Sequence, residues 1–319
     1  MEKARFKWVL RERNRKIAAK TEVFTEQQAR RVRSFHSSFK EYSPTPLIEL
    51  TSLAQHLGIK NLLVKDESYR FGLNAFKVLG GSFAIGSYIA NELGEDIDDL
   101  PYMRLVSDEV RSLLGSKTFI TTTDGNHGRG VAWTANRLKQ QAIVYMPQGS
   151  AAERLANIRA EGAQAEITDM NYDDTVRYTS ELAQKNGWII VQDTAWDGYT
   201  RIPLWIMHGY MTMALEAYEQ LPVKPTHIFL QAGVGSLAGS VQGFFADIYG
   251  SSCPLTFIVE PKGADCLYQT AAANDGSLHS VTGRLETIMA GLACGEPNSI
   301  AWEILGNLSD GFISCPDYT

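Results

Sequence analysis

One lysine of this sequence has neighbours that are unusual for a charged side chain. Lys77, in the stretch NAFKVLGGS, lies between Phe76 and Val78. The nearest acidic residues along the chain are Glu67 and Glu92. Lysines are rarely buried without a partner, so a surface position is one interpretation. The other is a buried amine, kept partly neutral so that it can bond a carbonyl compound.

A second candidate site lies in the stretch TTTDGNHGRG, between a predicted strand and a predicted helix. Small hydroxyl residues are followed there by Asp124, Gly125 and Asn126. Backbone N–H groups at a helix N-terminus bind anions, which makes this loop a candidate anion site. The alternative is a helix cap made by Asp124 or Asn126.

A third candidate is the glycine-rich stretch QAGVGSLAGS, which contains Gly233, Gly235 and Gly239. Glycines let a backbone approach a phosphate, and the helix that follows directs its positive end there. The spacing from Gly233 to Ala238, with Glu260 ending the next strand, also fits a dinucleotide fingerprint. Tight turns without a ligand are the remaining interpretation.

The elements that would position these loops alternate regularly along the chain. Predicted strands are NLLVKDE, TFITTT, AIVYMP, AEITD, WIIVQD, THIFLQA and LTFIVEP, and predicted helices cover 49–57, 80–91, 127–139, 151–161, 172–186, 203–220 and 237–248. This alternation predicts an α/β fold of two domains, each an open, mostly parallel, twisted sheet with helices on both faces. Breaks in the rhythm divide the chain into a large domain, 1–115 with 196–319, and a small domain, 116–195. Sites in such folds lie at the carboxyl ends of strands.

The order of the three features favours one cofactor. A dinucleotide fold usually opens with its glycine fingerprint, whereas this one comes at residue 233 of 319. It would also leave Lys77 and the Asp-Gly-Asn loop unexplained. Pyridoxal phosphate combines an aldehyde, a phosphate and a polar ring, and so would use all three.

The motifs also resemble a known family. FK, DGNHG, a glycine-rich loop and VEP follow the order of the fold type II (tryptophan-synthase-beta-like) pyridoxal-phosphate enzymes. YRFGLNAFKVLGG, TTDGNHGRGVAW, QDTAWDGYTRIP and MAGLACGEP resemble the diaminopropionate ammonia-lyases over nearly the whole chain. This resemblance implies elimination of ammonia from D- and L-2,3-diaminopropionate, giving pyruvate and two ammonia, by a homodimer.

The resemblance also implies a role for individual residues. Lys77 would form the Schiff base, and Asn126 would lie beside the ring hydroxyl of the cofactor. The phosphate would be held by Gly233, Val234, Gly235, Ser236 and Leu237. N–H groups of the loop would hold the substrate carboxylate, from Thr122, Thr123, Gly125 and Asn126.

Two carboxylates distinguish this chain from the dehydratases of the same fold. Asp124 stands where those enzymes have a serine, and it could pair with the second ammonium of diaminopropionate or act as a base. The resemblance implicates Asp193 as the second carboxylate, although a loop or capping role is its plain alternative. Because D and L substrates present their protons on opposite faces, we assign Lys77 to the L isomer and Asp124, helped by Asp193, to the D isomer.

Composition limits the remaining classes of function. The 319 residues are 44% hydrophobic and carry a net charge of −6, which gives no support to nucleic-acid binding. No apolar run reaches membrane-spanning length, and the first residues lack the apolar region of a signal peptide, so the cytoplasm is expected. The four cysteines form no C-x-x-C, and we predict no metal site. Cys266 and Cys294 could form a disulfide near the site, although disulfides are rare in the reducing cytoplasm.

The chain ends at FISCPDYT, whereas the resembled family continues into a segment that supplies a Ser or Thr to the pyridine nitrogen. No residue here can be assigned that role, so either the chain lacks the last segment of the fold or something else covers the site. Two alternatives to the ammonia-lyase stay open. One is a serine or threonine dehydratase, and the other is a truncated member of the fold that does not turn over substrate.

Overall fold

A computed structural model describes residues 6–12, 21–123 and 125–318 of the chain. Its ten strands in this part are β1 (Lys7–Leu10), β2 (Leu47–Glu49), β3 (Leu63–Lys65), β4 (Thr118–Thr122), β5 (Gln141–Met146), β6 (Gln164–Ile167), β7 (Ile189–Ile190), β8 (His227–Gln231), β9 (Leu255–Pro261) and β10 (Gly311–Cys315). Its twelve α-helices there are α1 (Glu26–Ser37), α2 (Thr51–Leu57), α3 (Lys77–Leu93), α4 (Tyr102–Leu105), α5 (Asp108–Leu114), α6 (Asn126–Arg137), α7 (Ala152–Ala160), α8 (Tyr172–Asn186), α9 (Arg201–Gln220), α10 (Ser236–Tyr249), α11 (Cys266–Ala273) and α12 (Ser299–Leu308).

The strands form two larger sheets and one short hairpin-like pair. The first sheet has the order β1-β10-β9-β8, in which β10, β9 and β8 are parallel and β1 is an antiparallel edge. The second has the order β6-β5-β4-β7 and is parallel throughout. Strands β2 and β3 pair separately. The predicted α/β class with mostly parallel sheets is confirmed.

The second sheet is built only from strands within 116–195, the range predicted for the small domain. The first sheet takes its strands from either side of that range. The two domain boundaries themselves stay a prediction.

Most predicted elements are present, with shifted ends. Helix α3 begins at Lys77, earlier than the predicted start at 80, and strand β7 is only two residues long where WIIVQD was expected to be extended. Helix α12 was not assigned from the sequence. None of the helices in the described ranges has both the length and the apolar composition needed to cross a membrane.

The core surrounds helix α3, which carries Lys77 at its first residue. Most of α3 is buried, and it packs against α6 and α9. These contacts require glycine: a Cβ on Gly209 would lie 2.2 Å from the Leu79 carbonyl oxygen, and one on Gly130 would lie 2.9 Å from the Val78 nitrogen. The two neighbouring helices therefore fix the backbone at the start of α3.

A buried network of charges holds the segment that leads into α3. The Arg70 guanidinium is fully buried and donates to Glu67 and to Glu216 of α9. Lys65 donates to the same Glu216 carboxylate at 2.8 Å. Because two cations face two anions, the group is neutral as a whole, which is the condition under which buried charges are tolerated. The network ties this segment to the core.

Candidate active site

The three loops singled out in the sequence meet at one cavity. Its wall is formed by the start of α3, the turn from β4 to α6, the segment after β7, and the turn from β8 to α10. The predicted site residues that line it are Lys77, Thr122, Thr123, Asn126, Asp193, Gly233, Val234, Gly235, Ser236 and Leu237. Gly125 is buried behind the wall, and Asp124 lies outside the described residues.

Lys77 has a buried anionic partner that its sequence neighbours did not reveal. Its ammonium donates to the carboxylate of Asp193, which is 116 residues away along the chain. Burial alone would lower the pKa of Lys77, but the Asp193 carboxylate outweighs burial and holds this pKa above its ordinary value. In turn, burial alone would raise the pKa of Asp193, and the Lys77 ammonium holds it well below its usual range. Without the cofactor, the two form an ion pair.

Aromatic rings enclose the ammonium on another side. The Nζ of Lys77 lies 5.8 Å from the centre of the Phe76 ring and 6.0 Å from that of Tyr210. Tyr210 is fully buried, and burial raises the pKa of its phenol. These rings give the amine an apolar border, an environment that favours covalent chemistry at a lysine.

His127 is a site residue that the sequence reasoning did not single out. Its ring is buried in the cavity wall, and Nε2 donates to the Val191 carbonyl at 2.7 Å. A carbonyl only accepts, so Nε2 carries a proton and Nδ1 is the atom that faces Asp193, 3.9 Å from Oδ2. Its position directly after Asn126 in DGNHG was the available signal.

Gln192 was also not predicted from the sequence, and it holds the segment that carries Asp193. Its Oε1 accepts from the Thr121 hydroxyl at 2.9 Å and from the Thr122 N–H at 3.0 Å. Its Nε2 donates to the Thr122 carbonyl at 3.0 Å and to the Tyr172 hydroxyl at 2.9 Å. The side-chain amide thus pairs with the end of β4 where the short strand β7 has already stopped.

The turn after β4 differs in one respect from the predicted carboxylate site. The N–H of Thr122 donates to Gln192, that of Thr123 to the Tyr145 carbonyl, and that of Gly125 to the Thr123 hydroxyl. These three N–H groups therefore already have acceptors inside the protein. Donors of this turn at the cavity wall include the Thr123 hydroxyl and the exposed side chain of Asn126.

The turn from β8 to α10 has the shape that a phosphate needs. Gly235 has a φ of +101°, which other residues rarely adopt, and α10 begins at the next residue. The N–H groups of a helix's first turn have no acceptor within the helix, and its dipole favours an anion. A Cβ on Gly233 would come within 3.3 Å of Cys294 Sγ, so a larger residue there would require that side chain to shift.

Two cysteines contact this turn from different segments. The Cys266 thiol donates to the Gly233 carbonyl at 3.8 Å, and Cys294 lines the cavity. All four cysteines of the chain are free thiols in the structure, so it does not contain the disulfide considered from the sequence. Burial raises the pKa of the Cys266 thiol, which disfavours its reactive thiolate form.

The groups that line the cavity fit pyridoxal phosphate. It combines a lysine amine among aromatic rings, an anion-binding turn on a helix N-terminus, and polar groups on the opposite wall. Arg154 and Tyr172 also line it and were not predicted. No residue can be assigned to the pyridine nitrogen within the described ranges.

Comparison with known proteins agrees with this reading of the cavity. Residues 39–319 match the family described as pyridoxal-phosphate dependent enzyme. The chain is 53% identical over 290 residues to the diaminopropionate ammonia-lyase of Salmonella typhimurium, covering 90% of this chain and 72% of that protein.

Solved structures give the same result for the fold. A holo diaminopropionate ammonia-lyase from Escherichia coli superposes with a TM-score of 0.89 at 49% identity, covering 98% of this chain and 77% of that one. The same Escherichia coli enzyme in complex with an aminoacrylate–PLP azomethine reaction intermediate superposes with a TM-score of 0.87, at the same identity and coverage. The chain belongs to the pyridoxal-phosphate-dependent enzymes and, within them, to the diaminopropionate ammonia-lyases.

Proposed function

We propose that this chain catalyses the pyridoxal-phosphate-dependent elimination of ammonia from 2,3-diaminopropionate, yielding pyruvate and two ammonia. The ion pair of Lys77 and Asp193, in a cavity suited to this cofactor, is the observation that carries the proposal. The similarity to ammonia-lyases supports it.

The cofactor, when bound, supplies a conjugated ring that stores the electrons released at the α-carbon. Lys77 is the residue that would bond its aldehyde carbon. Asn126 would face the ring hydroxyl, and the N–H groups at Gly233 to Leu237 would hold the phosphate.

Asp193 explains why a diamino acid would be preferred. Its carboxylate is 11% exposed and depends on the Lys77 ammonium for its compensating charge. Covalent attachment of Lys77 removes that ammonium, and a buried charge without a partner is costly. The second ammonium of diaminopropionate can take its place, whereas the hydroxyl of serine or threonine brings no charge.

The Thr123 hydroxyl is suited to orient the substrate carboxylate. Its oxygen accepts from the N–H groups of Gly125 at 3.0 Å and Gly128 at 3.2 Å. Because both lone pairs are used, its proton is available to an acceptor in the cavity. Asn126 offers a second donor beside it.

Proton transfer at the α-carbon needs a base on each face for the two isomers. Lys77 serves the L isomer, and Asp124, helped by Asp193, serves the D isomer. The assignment of Asp124 rests on its place in the DGNHG motif. His127, held by Val191 and with Nδ1 facing Asp193, would stabilise the ionised carboxylate when Nδ1 also carries a proton.

Pyruvate release tests the function directly. The chain, supplied with pyridoxal phosphate, is assayed with D- and L-2,3-diaminopropionate and with D- and L-serine and threonine. Turnover of both diaminopropionate isomers, with poor turnover of the hydroxy amino acids, is the expected result. Preference for serine or threonine would indicate a dehydratase, and no pyruvate from any substrate would indicate a non-catalytic member.

We also propose that the chain acts as a homodimer in the cytoplasm, without nucleic acid or membrane as a partner. The net charge of −6 and the resemblance to the family support this. Sedimentation of the purified chain at several concentrations tests the dimer.

A further inference from the structure

We propose that Asn298 and Ser236 form a relay of hydrogen bonds that positions Asp193, which makes Asn298 a positioning residue for the reaction. The relay runs from the Asn298 side chain through the Ser236 hydroxyl to the Asp193 carbonyl. It deepens the proposed function and rests on it for the role of Asp193.

The Ser236 hydroxyl is the middle of the relay. It is buried, donates to the Asp193 carbonyl oxygen at 2.6 Å and accepts from Asn298 Nδ2 at 2.8 Å. A hydroxyl has one proton, and here the Asp193 carbonyl takes it. Ser236 therefore serves the phosphate through its backbone N–H, while its side chain serves the catalytic carboxylate.

Asn298 fixes the direction of the relay. It is fully buried, and its Oδ1 caps α12 by accepting from the N–H groups of Ile300 at 2.9 Å and Ala301 at 3.3 Å. Its own N–H donates to the Val234 carbonyl at 2.8 Å. With Oδ1 committed to the cap, Nδ2 must face Ser236. An amide nitrogen only donates, so the serine proton must point at Asp193.

The relay matters because Asp193 lies outside regular secondary structure. Strand β7 ends at Ile190, and the Val191 N–H still donates to the Ile120 carbonyl at 2.9 Å. The segment beyond is held by side chains: Gln192 on the side of β4, and Ser236 on the side of α10. Misplacing a catalytic group by about 1 Å can cost about a hundredfold in rate. The phosphate turn and the catalytic carboxylate are thus coupled through one hydroxyl.

Two variants interrupt the relay in different ways. Asn298→Asp keeps the capping oxygen but replaces the Nδ2 donor with an acceptor, which draws the serine proton away from Asp193. Ser236→Ala removes the hydroxyl and keeps the backbone N–H. Asn307→Asp is the matched control, because Asn307 lies on the same helix, undergoes the same change, and bonds the Glu303 carbonyl away from the site.

The first measurement needs neither cofactor nor turnover. An amine-reactive reagent labels Lys77 in the apo chain across pH, and mass spectrometry of its peptide gives the midpoint. Since Asp193 raises the pKa of Lys77, both relay variants should lower the midpoint by about one pH unit or more, and Asn307→Asp should not. The added charge in Asn298→Asp would by itself act in the opposite direction, so a fall there reports loss of the Asp193 contact.

The second measurement separates positioning from phosphate binding. Inorganic phosphate is titrated into the apo Ser236→Ala chain, and its affinity should stay within about twofold, whereas loss of a charged hydrogen bond would cost about tenfold. With pyridoxal phosphate and diaminopropionate, kcat should fall by about tenfold to a hundredfold, with a smaller change in KM.

An unchanged labelling midpoint in Ser236→Ala, or a tenfold loss of phosphate affinity, would overturn the relay. If Asn298→Asp fails to fold, Ser236→Ala decides alone. A lowered midpoint in a chain that releases no pyruvate would support the relay and contradict the proposed function, so the two failures are distinguishable.

Discussion

At the scale of single residues, the charge on Lys77 is explained by a partner that is distant in sequence. Asp193 compensates the half-buried ammonium, and His127 borders the same carboxylate. We therefore expect the Asp193 carboxylate to pair first with the Lys77 ammonium and then with an ammonium of the substrate. A substrate that brings its own ammonium completes that exchange.

Replacing Asp193 should change substrate selection more than general binding. In Asp193→Asn, KM for diaminopropionate should rise by about tenfold to a hundredfold, because a charge-assisted hydrogen bond of about 1.5–3 kcal/mol is lost. Inhibition by D-serine, which has a hydroxyl in place of the second ammonium, should change by less than about threefold. Steady-state kinetics with both ligands makes the comparison, and equal weakening of the two would refute this role.

Replacing Asp124 should separate the two isomers. Asp124→Asn leaves Lys77 in place, so kcat on D-diaminopropionate should fall by about a hundredfold or more, since a general base contributes about 10²–10⁴. The L isomer should lose less than about tenfold. Pyruvate release from each pure isomer measures the ratio, and equal losses would count against a base on each face.

At the scale of elements, the site depends on places where regular structure stops. Strand β7 ends after two residues, and one more backbone bond follows, from the Val191 N–H to the Ile120 carbonyl at 2.9 Å. Beyond it, side chains hold the chain as far as Asp193. Helices α3, α6 and α9 meet at glycines, which fixes the start of α3. Rigid helices thus set the lysine, and hydrogen-bonded side chains set the carboxylate.

The pairing by Gln192 can be tested with an isosteric change. Gln192→Glu places an acceptor against the Thr122 carbonyl, so the free energy of unfolding should fall by about 2 kcal/mol and kcat by about tenfold. Gln140→Glu is the control, because Gln140 uses only an acceptor, Oε1, toward the Lys117 N–H at 2.7 Å. Denaturant unfolding and steady-state kinetics give both quantities. If Gln192→Glu and Gln140→Glu have the same free energy of unfolding and the same kcat, the segment after β7 does not depend on the hydrogen bonds of Gln192.

At the scale of the whole molecule, several polar groups are buried far from the cavity. His36 is fully buried between α1, α3 and α9, where Nε2 donates to the Leu79 carbonyl at 3.0 Å and Nδ1 accepts from the Thr212 hydroxyl at 2.7 Å. Burial, with Arg70 nearby, lowers the pKa of His36 to about 3, and burial lowers that of His208 to about 4. Both rings are therefore neutral in the folded chain at neutral pH.

These histidines should make the fold sensitive to mild acid. The unfolded chain binds a proton at each of them below about pH 6.5, whereas the folded chain does not. The free energy of unfolding should therefore fall between pH 6.5 and 5, by up to about 1.4 kcal/mol per pH unit for each histidine. Carboxylates with ordinary pKa values near 4 contribute little in this window. Burial raises the pKa of Glu260 well above its ordinary value, so this side chain binds a proton in the folded chain and offsets part of the loss.

Denaturant unfolding of the apo chain at several pH values measures the slope. His36→Gln should reduce the slope by about one proton, and His56→Gln, at an exposed position on α2, should not change it. A wild-type slope near zero in this window would contradict the buried neutral state.

The sequence by itself determined the fold class, the cofactor and the candidate residues. Alternating strands and helices depend on local periodicity, and Lys77, the DGNHG turn and the glycine-rich turn can each be read from residue types that carry a specific chemistry. Local patterns were sufficient for these inferences. The rule that parallel strands present their carboxyl ends together places each turn at the edge of its own sheet. The two turns belong to different sheets, and Lys77 follows a strand of neither, so their meeting in one cavity was decided by the tertiary structure.

Only the tertiary structure decided which atoms are paired. The bond of Lys77 to Asp193, the four hydrogen bonds of Gln192 and the bond of Ser236 to the Asp193 carbonyl join segments far apart along the chain. No local pattern encodes them, because each depends on how strands and helices are placed relative to one another. For the same reason, the sequence could not show that the N–H groups of Thr122, Thr123 and Gly125 already have acceptors within the protein.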